Sequence, residues 1–332
     1  MTSLQTNKKN AGANLVSLRW VSIFLVLPLC WSLSSCSFFS KTTKKEESKV
    51  VQRVLKKKVV MTGFAVNMPS QVQDLDDIAQ GVPREMLERL HRSGGFLVRQ
   101  SKNLLSYDFQ QDTPSAQLVR QVASENDAQF VIAGEIRNAG IRTDKKYWGM
   151  WETKKRQIEI EFAIYDGISG AFISRHHLYR PAEDDTLVGR DKAFGSVAFY
   201  ATSFGKALDS VLEESVAWIR QDLAPYPMMA RILEVKGDRV ILDAGVQSNL
   251  VVGDPAFVVA QYDQLPTLGL SSLQAKPLQY GIPQVSMGFA KVIQVQHPFA
   301  VAELKETPET EEFKIKVGDY VRFDPAVLLS MK

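Results

Sequence analysis

Apolar residues recur along the chain with two different periodicities. The change from one periodicity to the other marks a boundary between two parts of the chain. Between residues 59 and 223, short apolar runs typical of buried strands alternate with stretches that repeat every three or four residues, as amphipathic helices do. From residue 228 onward the helical period disappears, and short strands with Gly-containing turns replace it. Pro225 and Pro227 mark the boundary. We therefore expect two domains, at 59–223 and 228–332.

The first domain is expected to be a mixed sheet with packed helices. Within its clearest strand, Ile160 and Phe162 alternate with Glu159 and Glu161, so the two sets should point to opposite faces. The other strands are predicted at 59–66, 96–99, 130–133 and, as a hairpin, 156–165 with 171–179. Helices are predicted at 83–90 with Pro83 in the first turn, after residues 113–114, and along an apolar stripe at 194–219. That stripe fits a core face or a partner surface.

The second domain is expected to be a small SH3-like β-barrel, which makes the whole chain α+β. Five or six short strands follow one another within about 100 residues. The phrase Val-Gly-Asp occurs at 252–254 and again at 317–319, where Gly would supply a positive φ and Asp would cap a turn. Residues 261–285 interrupt the strands and are predicted to be a loop.

The N-terminus has the pattern of an export signal rather than of a folded element. A positive stretch precedes the apolar run at 20–29, and Leu33-Ser-Ser-Cys36 resembles the bacterial lipobox at all four positions. We therefore expect a signal peptide at 1–35 and a diacylglyceryl or palmitoyl group on Cys36. The alternative, a membrane-spanning anchor, is disfavoured because about 20 apolar residues are needed to span a bilayer. Ser37 stands where Asp would signal inner-membrane retention, so an outer-membrane, periplasm-facing location is expected.

Charge is distributed unevenly along the 332 residues. The net charge is +3, but residues 36–58 alone hold eight basic and two acidic side chains, so the chain beyond them is acidic on balance. This segment is expected to be a tether, either solvated or held against anionic head groups or peptidoglycan. An acidic body excludes a nucleic-acid binder. Since Cys30 and Cys36 are the two cysteines, neither domain can hold a disulfide or a cysteine zinc site.

Residues with catalytic or metal-binding chemistry are few. His176 and His177 are neighbours in a predicted strand and would point apart, and the acidic run at 183–185 is typical of a solvated loop. The sequence has no phosphate loop and no nucleophile elbow, so no cofactor, no metal and no enzymatic activity are expected. The most unusual stretch holds Tyr147, Trp148 and Trp151 between lysines. It fits an interaction surface, or rings folded back on the sheet edge.

The order of elements resembles a known domain type. The strand at 59–66, the helix at 84–90, the strand ending in Gly134 and the hairpin tip Asp166-Gly-Ile-Ser-Gly170 are similar to the N-terminal domain type of TolB. That type recurs in the curli secretion channel CsgG and the penicillin-binding-protein activator LpoB. With a Val-Gly-Asp barrel behind it, residues 59–325 resemble the middle and C-terminal domains of flagellar assembly protein T, an H-ring component. That family usually has a further N-terminal domain, and here the lipid anchor takes its place.

The resemblance implies a structural function. We expect an outer-membrane lipoprotein in the outer, H-ring-like complex of the flagellar basal body, assembling as a ring of copies with other envelope or flagellar ring proteins. The alternative is a regulatory or secretion lipoprotein of the LpoB or CsgG kind. The additional barrel favours the first, because single-domain activators and channels lack it. A CsgG-like channel also needs long amphipathic hairpins, and the strands here are short.

Overall fold

A computed structural model describes residues 53–105, 114–146, 148, 151–183, 188–189, 191–261, 284–305 and 314–324. They belong to one compact unit, residues 52–332. In it a mixed sheet with packed helices is followed by a closed barrel, so the expected α+β class is confirmed. The predicted signal peptide, Cys36 and residues 262–283 of the loop predicted at 261–285 lie outside the described residues. The ends of that predicted loop were wrong, because residues 261, 284 and 285 belong to strands that pair with each other.

The sheet is mixed because its first three strands are parallel and its later strands antiparallel. Its six strands are β1 (Lys57–Val66), β2 (Phe96–Leu104), β3 (Phe130–Asn138), β4 (Ile141–Lys146), β5 (Trp151–Asp166) and β6 (Phe172–Pro181). β1 lies between β2 and β3, and β5 pairs antiparallel with β3 and β6. The first six residues of β5 instead pair with β4. β5 therefore lies between β3 and β6 over most of its length and extends beyond them as a hairpin with β4.

Helices cover both faces of the sheet. They are α1 (Ile78–Arg92), α2 (Ala116–Glu125), α3 (Val197–Tyr200) and α4 (Ser203–Leu223). On one face α1 and α4 enclose the main core, to which the sheet contributes Met61, Ile160 and Phe162. On the other face α2 buries Val119 and Val122 against a smaller apolar cluster. None of the helices in this part of the chain combines the length and hydropathy that crossing a bilayer requires.

Two predicted helix boundaries were wrong. α1 begins at Ile78, so Pro83 lies inside the helix and not in its first turn. Ile78 and Val82 are buried, and their packing extends the helix towards the N-terminus. The stripe at 194–219 is divided into α3 and α4, because the Thr202 hydroxyl accepts a hydrogen bond from the Gly205 N–H and caps a new helix. Val197 is exposed, whereas the stripe along α4 is buried and faces the core.

Six antiparallel strands close the barrel. They are β7 (Met228–Lys236), β8 (Arg239–Leu242), β9 (Pro255–Gln261), β10 (Gln284–Val295), β11 (Ala300–Lys305) and β12 (Tyr320–Phe323). Around the barrel they follow the order β10, β11, β8, β7, β12, β9. The interior is filled by small and branched side chains such as Ala230, Val258 and Ala302. A closed barrel leaves no edge strand among these six.

Both Val-Gly-Asp motifs form the turns that the sequence predicts. Gly253 and Gly318 each have a φ of 99°, a conformation that side chains with a Cβ rarely adopt. The Asp254 carboxylate accepts a hydrogen bond from the Val251 N–H at 2.9 Å. Asp319 repeats the contact with Lys316 at 2.7 Å. The predicted roles of Gly and Asp are confirmed.

The end of the predicted tether packs against the barrel. Leu55 is buried in the barrel core, and the Lys56 N–H donates to the Ser248 carbonyl at 3.1 Å. Arg53 pairs with Asp254 at 2.5 Å, on the carboxylate that also caps the Val-Gly-Asp turn. β1 then starts at Lys57. Residues 53–58 are thus part of the folded unit, and the rest of the tether lies outside the described residues.

Candidate interaction surfaces

The β4–β5 hairpin presents Trp148 at its tip. Lys146 pairs with Trp151, so Trp148 follows the end of β4 and precedes the start of β5. Trp148 is fully exposed and has a φ of 58°, in the left-handed region. Its ring is therefore not folded back on the sheet edge. Tyr147 and the side chain of Trp151 lie outside the described part of the structure, so the expected three-residue aromatic surface stays a prediction.

A buried arginine anchors the base of this hairpin. The Arg156 side chain is 1% exposed, and its two terminal nitrogens contact the Asp74 carboxylate at 2.5 and 2.9 Å. Its Nε donates to the Ala139 carbonyl at 3.0 Å, and the guanidinium lies 4.5 Å from the centre of the Phe204 ring. Partial burial acts to raise the pKa of Asp74, but the hydrogen bonds and charge of Arg156 outweigh it, so this pKa lies below its ordinary value.

Lys58 of β1 contacts a carboxylate from the α/β part of the chain and one from the barrel. Its Nζ donates to both oxygens of the Asp127 carboxylate, at 2.9 and 3.0 Å, and to the Asp243 carbonyl at 2.8 Å. A carboxylate oxygen of Asp243 lies 3.0 Å from the same nitrogen. Lys58 is 9% exposed, so these contacts are largely shielded from water. We refer to Lys58, Asp127 and Asp243 as the Lys58 cluster.

An amide side chain and a small apolar cluster make further contacts between the sheet and the barrel. Gln129, which precedes β3, donates to the Pro227 carbonyl at 2.7 Å and accepts from the Met229 N–H at 3.1 Å. Beside it, Ile168 of the β5–β6 turn packs against Met229 and Val259 of the barrel. The sheet and the barrel are therefore joined by side chain–backbone hydrogen bonds, ion pairs and apolar burial together.

A polar cleft of about 380 Å³ opens beside the Lys58 cluster. Arg120, Arg231 and Tyr320 also line it. Burial, the strongest influence, raises the pKa of Asp243; Lys58 opposes the rise and the neighbouring Asp127 reinforces it. The lining is suited to ion pairing between the domains. Across the described residues, no three His, Cys, Asp or Glu side chains are grouped as a metal site.

The neighbouring histidines occupy opposite faces of β6. His176 stacks on Trp218 at 4.8 Å and lies 2.6 Å from the Asp222 carboxylate, on the helix side of the sheet. His177 lies 2.6 Å from Glu159 on the other side and is exposed. The predicted divergence of the pair is confirmed, so the two rings cannot share one ligand.

The mixed sheet with packed helices and the closed barrel behind it define the class of the protein, which is α+β. Residues 51–184 match the family model for flagellar assembly protein T, middle domain. The resemblance inferred from the sequence is confirmed over this segment, which holds the sheet and ends before α3, α4 and the barrel. The matched family is one of flagellar assembly and not of enzymes. No curated protein matches the chain.

Solved structures that match about half of this chain share little sequence with it. A hypothetical protein from Chlamydia trachomatis is 20% identical, covers 51% of this chain and 98% of its own, and has a TM-score of 0.39. A protein from Xanthomonas campestris is 9% identical, with coverages of 52% and 89% and a TM-score of 0.34. PelC from Paraburkholderia phytofirmans, a dodecamer, is 16% identical, with coverages of 52% and 90% and a TM-score of 0.29.

Sequence reasoning did not find the Lys58 cluster or the Arg156–Asp74 pair. Lys58 is separated from Asp127 by 69 residues and from Asp243 by 185, and Arg156 lies 82 residues from Asp74. No local spacing marks such partners. One signal was present for Arg156, which begins the apolar alternation of its strand and therefore stands at a position where a charge must be paired.

Proposed function

We propose that this protein is an outer-membrane lipoprotein with a structural role in assembling the outer, H-ring-like complex of the flagellar basal body. The observation that carries the proposal is the match of residues 51–184 to the flagellar assembly protein T middle domain. The closed barrel behind that segment supports it, because the resemblance seen in the sequence includes a Val-Gly-Asp barrel at the same place. Structural contacts, and not catalysis, are then the task of both domains.

A deletion strain tests this role. Loss of the protein should reduce motility while growth and peptidoglycan synthesis stay normal, and the gene supplied in trans should restore swimming. A deletion strain that swims normally but becomes sensitive to cell-wall antibiotics would refute the proposal and favour the LpoB-like alternative. A strain that swims normally but fails to export curli-type fibres would favour the CsgG-like one.

The proposed anchor is a lipid on Cys36. Cys36→Ser should block processing and leave a larger precursor without a diacylglyceryl group. Cys30→Ser is the matched control, because Pro28 and Leu29 before it do not fit the lipobox, and it should mature normally. Mass spectrometry of the mature N-terminus reads out both variants. A mature N-terminus at another residue, without a lipidated cysteine, would overturn the assignment.

The proposed contact surface with other ring components is the hairpin tip at Tyr147, Trp148 and Trp151. The full exposure of Trp148 on a firmly based hairpin supports it, since aromatic anchors contribute strongly when a partner buries them. Trp148→Ala with Trp151→Ala should lower motility at unchanged protein level. Tyr179→Ala, which removes an exposed ring from β6, should not. Equal motility in the wild type, the double Trp variant and the Tyr179→Ala variant would remove this surface from the proposal.

A further inference from the structure

A groove lies between one edge of the sheet and a helix. β2 pairs with β1 on one side, and no other strand of the described residues pairs with it. The groove has a volume of about 320 Å³. Val98 and Gln100 of β2 line one wall. One stripe of α1, with the i, i+3, i+4, i+7, i+8 spacing of a single helix face, lines the other: Arg84, Leu87, Glu88, His91 and Arg92.

The groove is apolar in the middle and basic at both ends. Leu87 is buried and Val98 half-buried, and they form the centre. Arg84 lies near one end and Arg92 near the other, both exposed, and neither forms an ion pair with another described residue. Among the described residues of the lining, Glu88 is the one carboxylate. An occupant with acidic groups at both ends would therefore meet complementary charge.

We propose that this groove binds an extended, acidic segment of another protein by β-strand addition to β2. An edge strand presents a row of N–H and C=O groups, and an added strand satisfies them while its alternate side chains enter the neighbouring groove. Residues of the added strand that face α1 would contact the groove, and the residues between them would face away.

The dimensions define a side-chain pattern. Arg84 and Arg92 are eight residues apart on a helix, or about 12 Å at 1.5 Å per residue. In an extended strand, residues i and i+4 are about 13 Å apart. An acidic residue at each of these positions can meet the two arginines, and residue i+2 then lies over Leu87 and Val98. The structure therefore assigns the ligand pattern acidic-x-apolar-x-acidic.

The charge of the opposite sheet edge disfavours a second copy of this chain as the occupant. That edge is β6, which carries Arg175, His177 and Arg180. Arg180 lies on the helix side of β6, whereas Arg175 and His177 lie on the other side. Whichever side of β6 continued next to α1, pairing β6 of one copy with β2 of the next would bring an arginine towards those of the groove. Like charges placed together weaken an interface, so the occupant is a different, acidic chain.

Fluorescence anisotropy of labelled peptides tests the charge requirement with the full chain. The probe is Thr-Glu-Thr-Val-Thr-Glu-Thr, and Thr-Lys-Thr-Val-Thr-Lys-Thr is its charge-reversed partner. Arg84→Glu with Arg92→Glu should weaken the acidic probe by about tenfold, the sum of two exposed ion pairs, and should create binding of the lysine peptide. Arg239→Glu with Lys291→Glu, two exposed cations of the barrel, is the matched control and should change neither affinity.

Backbone methylation tests strand addition itself. A strand at a sheet edge uses every second N–H, so N-methylating one alternate set of probe residues should abolish binding and N-methylating the other set should not. Equal binding of both methylated peptides would overturn strand addition. Unchanged affinity in the double Arg variant, with circular dichroism showing it folded, would overturn the groove as the site. Either failure leaves the flagellar proposal intact, because that rests on the matched segment.

Discussion

The contribution of the Arg156–Asp74 pair to stability can be worked out from its surroundings. Arg156 is enclosed almost completely, whereas the Asp74 side chain retains 21% exposure. Asp74→Ala would leave a guanidinium in the core with the Ala139 carbonyl as its remaining acceptor, which costs about 3–5 kcal/mol of unfolding free energy. Arg156→Met keeps much of the packing against Phe204 and leaves a carboxylate that water can partly reach, so it should cost less, about 2 kcal/mol.

Urea denaturation followed by far-UV circular dichroism measures these losses and their coupling. Because the double variant leaves no unpaired buried charge, it should be more stable than the sum of the single losses by about 2 kcal/mol. The exposed pair Arg180–Glu214, at 42% and 39% exposure, is the matched control, and Glu214→Ala should cost less than about 1 kcal/mol. Additive losses for Arg156 and Asp74, or a loss below 1 kcal/mol for Asp74→Ala, would refute the reasoning.

The same pair predicts a pH dependence of defined sign. The pKa of Asp74 is lower in the folded protein than its ordinary value of 3.8, so the folded state binds its proton less readily. Its contribution is therefore complete above the unfolded pKa and is lost as the pH falls through the folded pKa. The stability difference between wild type and Asp74→Ala should stay constant from pH 7 to pH 5 and shrink below about pH 4. A difference that grows in acid would contradict the ion pair.

Three further experiments, each by substitution, test the contact between sheet and barrel, the strand register and a turn. Lys58→Met should lower stability at pH 7 by about 2 kcal/mol, because both carboxylates of the Lys58 cluster lose their nearest cation and keep only longer contacts with neighbouring arginines. A loss below about 1 kcal/mol in urea denaturation would contradict that. Phe162→Ala should cost about 3–5 kcal/mol and Glu161→Ala about 1–2, and equal losses would show the register to be wrong. Gly318→Ala should lower the thermal midpoint by forcing a Cβ into a φ of 99°, at about 1–3 kcal/mol, whereas Gly95→Ala, with open space around it, should not.

The sheet and the barrel could be predicted because their cores repeat at short sequence intervals. Ile158, Ile160, Phe162 and Ile164 alternate in the sequence, and all four are fully buried on one face of β5. Gly318-Asp319 likewise contains in adjacent residues the whole chemistry of its turn. Where one local pattern decides the structure of an element, the sequence alone is sufficient to predict that element. Pro83 shows the limit, since a local preference for the first turn gave way to the burial of Ile78.

Long-range ion pairs could not be predicted in the same way. Glu161 does point away from the apolar face of β5, as expected, but it is 4% exposed. Arg137 reaches it from β3 at 2.7 Å, and Arg175 reaches it from β6 at 3.5 Å. Strand alternation reports the side on which a residue lies, whereas its burial depends on the neighbours that the sheet topology brings there. The Lys58 cluster depends on topology for the same reason.

The packing of Arg53 and Leu55 on the barrel has a consequence for the order in which the parts of the chain fold. Asp254, the partner of Arg53, lies 201 positions further along the chain, in the turn that leads into β9. Arg53 and Leu55 can therefore reach their final contacts only once the barrel has formed around them. The segment immediately before β1 is thus among the last parts of the folded unit to become fixed, although it precedes every strand in sequence.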